Sequence, residues 1–262
     1  MSILQRRLSA NLSFLFTELP FLDRFAAAAD AGFTCVEFLF PYDVPVELLA
    51  QRLEAHGLEV SVFNAPPGDW AAGERGLAAL SGRRDEFRAA MITALDYAEA
   101  LPARRIHVMA GLADPRDPAA SAAYADNLAW AADMAGERQV QLMIEPINQG
   151  DMPGYFLSDF EAAAQVIAAT PGMGLQFDIY HCQKINGAVL DRLAALLPIT
   201  AHVQIAGIPD RHEPSPATLP LGEIFALLDA GGYEGRVGCE YRPATGTREG
   251  LAWITALDAS RA

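Results

Sequence analysis

The chain has 262 residues, 52% of them hydrophobic and 20% charged, and its 19 Lys and Arg stand against 33 Asp and Glu for a net charge of −14. Such a chain buries a core without disulfide staples, and no apolar run approaches the roughly 20 residues of a membrane helix. The acidic field repels polyanions and the arginine pairs at 6–7, 83–84 and 104–105 form no basic patch, which argues against nucleic acid, as the missing apolar run does against a membrane, while a few local Arg or His donors could still hold a small substrate with one negative charge.

Cys35, Cys182 and Cys239 are odd in number and lack CxxC spacing, which speaks against a disulfide framework or structural zinc and suits a reducing cytoplasm. The opening MSILQRRLSANLSFLF has no continuous apolar segment ending in small residues, so no secretory signal is expected.

Apolar periodicity then alternates strand and helix. A strand at 8–12 runs through the glycine-free SANLSFLFTELPF into the amphipathic LPFLDRFAAAADAG, which Gly32 closes. A strand at 34–39 precedes VPVELLAQRLEAHG, closed by Gly57. A third strand at 58–64 opens a loop of roughly eighteen residues, long for a connection, containing GDWAAGERG with Trp70 and Arg75. This loop reads as a lid over a site or as a solvated excursion. RRDEFRAAMITALDYAEAL follows and stops before Pro102. Strands at 105–110, 140–145, 173–178, 200–205 and 236–241 alternate with helices at 119–136, 158–169, 187–197, 220–230 and 246–258. Strict alternation means parallel strands with helical crossovers, and eight units match an α/β single (β/α)8 TIM barrel over residues 1–262. The missing GxGxxG in the first turn argues against a doubly wound nucleotide-binding sheet.

In such a barrel the active site lies at the C-terminal strand ends. Strand 5 ends LMIE at Glu145, strand 6 LQFD at Asp178, strand 7 HVQ at Gln204 and strand 8 VGCE at Glu240. Any one polar strand end could simply cap the next helix, but four from consecutive strands converge on the barrel mouth. Three crowded carboxylates repel one another unless a cation compensates. An all-oxygen set of Glu145, Asp178, Gln204 and Glu240 suits Mg²⁺ or Mn²⁺ better than zinc. His181, in DIYHCQK, shares the loop of Asp178 and is expected to reach the same substrate. Cys182 and Cys239 lack an evident base and read as packing residues.

Two carboxylates flanking a cation suit proton transfer beside a carbonyl, with Glu145 and Glu240 as the acid–base pair and an ene-diolate between substrate and product. A glycoside hydrolase would also use two glutamates, but it leaves Asp178 and Gln204 without a role. A non-catalytic sugar-acid sensor on the same scaffold is the other class of reading.

Across almost the whole chain, SANLSFLF, GFTCVEFLFPYD, NAPPGDWAAGERG, LMIEPIN, DMPGYFL, QFDIYHCQ, HVQIA and GCEYRP occur in the order of one family. The chain resembles the hydroxypyruvate isomerases and 2-oxo-tetronate isomerases of the xylose-isomerase-like barrels. The resemblance implies isomerisation of a short 2-oxo acid, such as hydroxypyruvate to tartronate semialdehyde. It places proton transfer on Glu145 and Glu240 and metal ligation on Glu145, Asp178, Gln204 and Glu240. It also implies substrate contacts from His181 and from Arg211, a partner for a substrate carboxylate, with Trp70 and Arg75 in the most specific motif. A ketose 3-epimerase would use the same metal and glutamates, and a homo-oligomer is compatible with the family. DNA-repair endonucleases share the superfamily, but their many His ligands and DNA groove fit poorly with five His and a charge of −14.

One stretch departs from the family. After strand 7 the chain reads RHEPSPATLPLGE, so the usual Gly-x-Gly-Glu turn becomes SPAT at 215–218, and Pro216 imposes its own φ. Substrate preference is the property this loop is expected to alter.

Overall fold

A computed structural model describes residues 5–261, so the expected domain of 1–262 extends at both ends outside the described residues. Eight strands, β1 (Leu8–Asn11), β2 (Cys35–Phe38), β3 (Glu59–Asn64), β4 (Arg105–His107), β5 (Gln141–Ile144), β6 (Met173–Asp178), β7 (Thr200–Ile205) and β8 (Val237–Cys239), lie in sequence order. Every neighbouring pair is parallel, and Ser9 opposite Gly238 joins β1 to β8, closing one barrel. The expected (β/α)8 barrel is the observed fold.

The helices are α1 (Arg24–Asp30), α2 (Val46–His56), α3 (Arg84–Ala100), α4 (Pro118–Glu137), α5 (Phe160–Ala169), α6 (Ile179–Ile185), α7 (Val189–Leu196), α8 (Leu221–Ala230) and α9 (Ala252–Arg261). The Asp117 carboxylate caps α4 by accepting from the Ala119 N–H at 2.9 Å, with Pro118 in the first turn, where its missing N–H costs nothing. Asp159 caps α5 through the Ala162 N–H at 2.8 Å.

The strands expected at 105–110 and 236–241 are shorter, Arg105–His107 and Val237–Cys239, and two helical segments differ from the expected pattern. Ahead of α7 the structure has α6, started by Asp178 itself, whose Oδ1 accepts from the Tyr180 N–H at 2.8 Å. The last helix begins later than 246, because the Thr247 hydroxyl accepts the Phe16 N–H at 2.6 Å and ties that stretch to the loop after β1.

The apolar core fills the space between barrel and helices. Phe25 and Phe38 meet at 6.1 Å, and Phe38 stacks on Phe63 at 6.2 Å. Inside the barrel the filling is polar. Glu37 on β2 is fully buried and accepts four hydrogen bonds, from Asn11 (3.1 Å) and Gln204 (2.8 Å) on Oε1 and from Ser61 (3.0 Å) and His202 (2.8 Å) on Oε2. Four donors compensate a carboxylate that no water reaches. Gly238 makes room for it, since a β-carbon there would lie 2.3 Å from both Glu37 oxygens. No helix among the described residues is long and apolar enough to cross a membrane.

Candidate active site

The four strand-end groups sit where the barrel interior opens. Glu145 follows β5 and precedes Pro146, which cannot extend the ladder. Asp178 ends β6 opposite Gln204 on β7, and Glu240 follows β8. All four are buried. Gln176, two residues before Asp178 and hence on the same face of β6, links two of them. Its Nε2 donates to Glu145 Oε2 at 2.9 Å and to Gln204 Oε1 at 2.8 Å.

Arg211 enters from the loop after β7 in a left-handed conformation, φ +58°, uncommon for a residue with a β-carbon. Its N–H donates to Gly207 O at 3.0 Å and its carbonyl accepts the Arg242 N–H at 2.8 Å. Held so, the guanidinium donates to Asp178 Oδ2 at 3.1 Å and to Glu240 Oε2, and stacks over Tyr180 at 4.9 Å. The cation expected to meet a substrate thus rests on two of the site's own carboxylates.

One positive charge faces three carboxylates here. Burial, then Glu240 and Asp178, push the Glu145 carboxyl well above its ordinary range. Burial raises Glu240 to about 8 although Arg211 opposes the shift, and burial raises Asp178 against the same cation. Burial works against the Arg211 charge, but Glu240, Asp178 and Glu145 outweigh it. Glu145 Oε1 is buried without a hydrogen-bond partner among the described residues. Glu145, Asp178 and His181 each offer one donor atom, all within 4.8 Å of one another, a grouping able to hold a metal ion.

His181 lies in the first turn of α6 with Nε2 3.8 Å from Glu145 Oε1 and 3.6 Å from Asp178 Oδ2. Burial, then Arg211, lowers its pKa well below the ordinary value, so the ring is neutral near pH 7.

A cavity of about 430 Å³ opens on this cluster, lined by Glu145, Glu240, His181, Arg211, Trp70 and Arg75 among others. Asp178 and Gln204 are buried outside its lining. The structure therefore brings together the eight side chains expected in the site, the four strand-end groups with His181 and Arg211 at the base and Trp70 and Arg75 at the rim. Trp70 packs on Phe40 at 5.0 Å and carries the Arg75 guanidinium 3.9 Å from its ring centroid. Arg75 Nη1 also donates to Trp70 O (3.1 Å) and Glu74 O (2.7 Å).

Several site residues escaped the sequence reading. His107 lines the cavity with Nδ1 3.6 Å from Glu145 Oε2. Burial, then His202, lowers it to about 3. Gln176, Glu37 and His202 sit in mid-strand, and Phe14, Asn148 and Arg242 in loops. The missed signal was periodicity: Ser9 and Asn11, Gln176 and Asp178, and His202 and Gln204 are polar pairs two apart, one face of each strand pointing into the barrel.

Residues 25–257 match the model of the xylose isomerase-like TIM barrel family. A 2-oxo-tetronate isomerase of Cupriavidus necator is 50% identical over 253 residues, 95% of this chain and 97% of that protein. The chain belongs to this isomerase family. It is an enzyme of the isomerase class. The hydroxypyruvate isomerase of Escherichia coli K12 is 40% identical over 256 residues, 95% of this isomerase and 98% of that one. A crystal structure from Brucella melitensis described as an AP endonuclease, family 2, superposes with a TM-score of 0.92 at 43% identity, covering 96% of this chain and 98% of that one.

Proposed function

We propose that this isomerase interconverts a short 2-oxo acid with the isomer whose carbonyl has moved to the neighbouring carbon, hydroxypyruvate with tartronate semialdehyde or a 2-oxo-tetronate with its isomer. The observation that carries the reading is the pair Glu145 and Glu240, both buried, both raised in pKa, on one small cavity ringed by Arg75, Arg211 and Arg242. One glutamate takes a proton from the carbon bearing the hydroxyl, and the C–H electrons form the ene-diolate. The other delivers a proton to the former carbonyl carbon, while a hydroxyl proton passes between the two oxygens, so the atoms balance. Raised carboxyl pKa values suit groups that must both take and give protons near neutrality.

The donor set fits a divalent cation. It is all oxygen, one carboxylate oxygen lacks a partner, and Arg211 alone does not balance three carboxylates. Glu145, Asp178, Gln204 and Glu240 would hold Mg²⁺ or Mn²⁺, which when bound supplies polarisation of the carbonyl and compensates the ene-diolate charge. Arg75, steadied on Trp70 in the cavity lining, would pair with the substrate carboxylate. The buried floor excludes water from the ene-diolate. Three buried, unpaired cysteines suit a reducing cytoplasm.

The test is incubation in D2O with hydroxypyruvate, 2-oxo-tetronates and free ketoses, followed by NMR. Label at the carbon beside the carbonyl, with isomer formed from an acid, is expected. Glu145→Gln and Glu240→Gln should each lower kcat by about 10²–10⁴-fold while the fold survives. Near-normal turnover in either sinks the two-glutamate mechanism, and label appearing in ketoses alone would replace the substrate class.

A further inference from the structure

Asn148, in the rim that follows Glu145, makes two contacts to one ring nitrogen of His181. Its side-chain Nδ2 lies 2.7 Å from His181 Nδ1, and its backbone N–H donates to the same atom at 3.4 Å. The orientation of the Asn148 amide follows from its other end. Oδ1 accepts the Asp151 N–H at 3.0 Å, and a backbone amide can only donate, so the NH2 group must face the histidine.

Two donors therefore point at Nδ1, which must carry a lone pair. A proton there would meet N–H groups head on, in the neutral ring and in the imidazolium alike. The neutral ring has one proton to place, and it lies on Nε2. That Nε2–H faces Glu145 and Asp178 from 3.8 and 3.6 Å, beyond hydrogen-bond reach. In the resting site it is an unspent donor beside the cavity.

We propose that Asn148 is a positioning residue that fixes His181 as its Nε2–H tautomer, making the histidine a neutral donor to a substrate oxygen and removing it from the metal's ligand set. The inference rests on the isomerase reading for its substrate. A protonated Nε2 has no lone pair for a cation, so the close group of Glu145, Asp178 and His181 takes its further ligands from Gln204 and Glu240. A neutral donor held without reorganisation stabilises the oxyanion that grows as the proton leaves carbon, while a cationic ring would compete for the nearby carboxylates.

The experiment reads the tautomer directly. Two-bond ¹H–¹⁵N correlation spectra of the free enzyme resolve its five histidines, and His181→Gln identifies the signal. Protonated Nε2 with bare Nδ1 is expected, unchanged when Mg²⁺ is added. Protonation at Nδ1, or loss of the Nε2 proton on adding Mg²⁺, overturns the proposal whatever any variant does. Asn148→Asp keeps the side chain's shape but offers Nδ1 an acceptor. The proton is expected to move to Nδ1 and kcat to fall about 100-fold, with KM changed much less. A variant with its tautomer unaltered, or reversed with full kcat, overturns it. The spectra need no substrate, so a wild-type enzyme with the stated tautomer and no turnover of any 2-oxo acid would count against the substrate class alone.

Discussion

Glu37 shows what a single charge can do when every lone pair is met. Its four donors come from three strands, Asn11 on β1, Ser61 on β3 and both His202 and Gln204 on β7, so the amide proposed as a metal ligand is aimed by a carboxylate beneath it. Asn11 extends the link, since its Nδ2 donates to both Glu37 Oε1 and Glu240 Oε1. Glu37→Gln conserves size but places an NH2 group where two N–H donors already point. Buried donors left facing each other cost about 1–3 kcal/mol. Thermal denaturation should show the midpoint lowered by about 2–4 °C for each kcal/mol, and an unchanged midpoint would mean that the network carries no net stability.

At the scale of elements, the strand ends were legible because an apolar run that stops on a carboxylate is a simple pattern, repeated at Glu145, Asp178 and Glu240. The barrel followed from the alternation alone. The helix α6 was not legible: seven residues are too few to show a 3.6-residue period, and Asp178 serves both as its cap and as a site residue. The polar interior was hidden for another reason, since single polar residues within short strands look like noise until β1, β6 and β7 are aligned. The long loop after β3 was legible as a special segment, and its contacts show why it holds its shape. Gly76, at φ +116°, lies so close to β4's extension that a β-carbon would stand 2.3 Å from Met109 O, and the Ala79 N–H donates to Ala110 O at 2.7 Å. Arg83 pairs with Glu74 across its base. This loop carries Trp70, 38% exposed, and Arg75 to the lining of the cavity, and the proposed reading gives it a part in binding. Arg75→Ala is expected to raise KM for 2-oxo acids by about 10- to 100-fold, one to two factors of 1.4 kcal/mol for a charge-assisted pair, with kcat nearly kept. Steady-state kinetics on an acid and on the matching neutral ketose separate the cases, because equal losses on both would assign Arg75 to loop structure instead of carboxylate recognition.

For the molecule as a whole, a net charge of −14 surrounds a base where three buried carboxylates face one guanidinium, so electrostatic tension is held at the barrel mouth. The pH dependence of that tension has a definite sign. Glu240 moves from the 4.5 of an exposed glutamate to about 8 on folding. A carboxyl raised in this way contributes stability that is complete below pH 4.5 and is lost as pH rises through 8. The metal-free protein should therefore weaken across that window, where a divalent cation can take the place of the missing protons. Below pH 8 the cation must first displace the Glu240 proton, and above it the ligand is already ionised. Added Mn²⁺ is thus expected to raise the melting midpoint more at about pH 8.5 than at about pH 6. At a hundredfold excess over its Kd the cation adds about 2.7 kcal/mol, or about 5–10 °C at 2–4 °C for each kcal/mol. Scanning calorimetry with Mn²⁺ and with EDTA at both pH values measures the difference. A Mn²⁺ effect that is absent at both would remove the cation from the site, and one larger at the lower pH would show that Glu240 is not among the groups that must ionise to hold it.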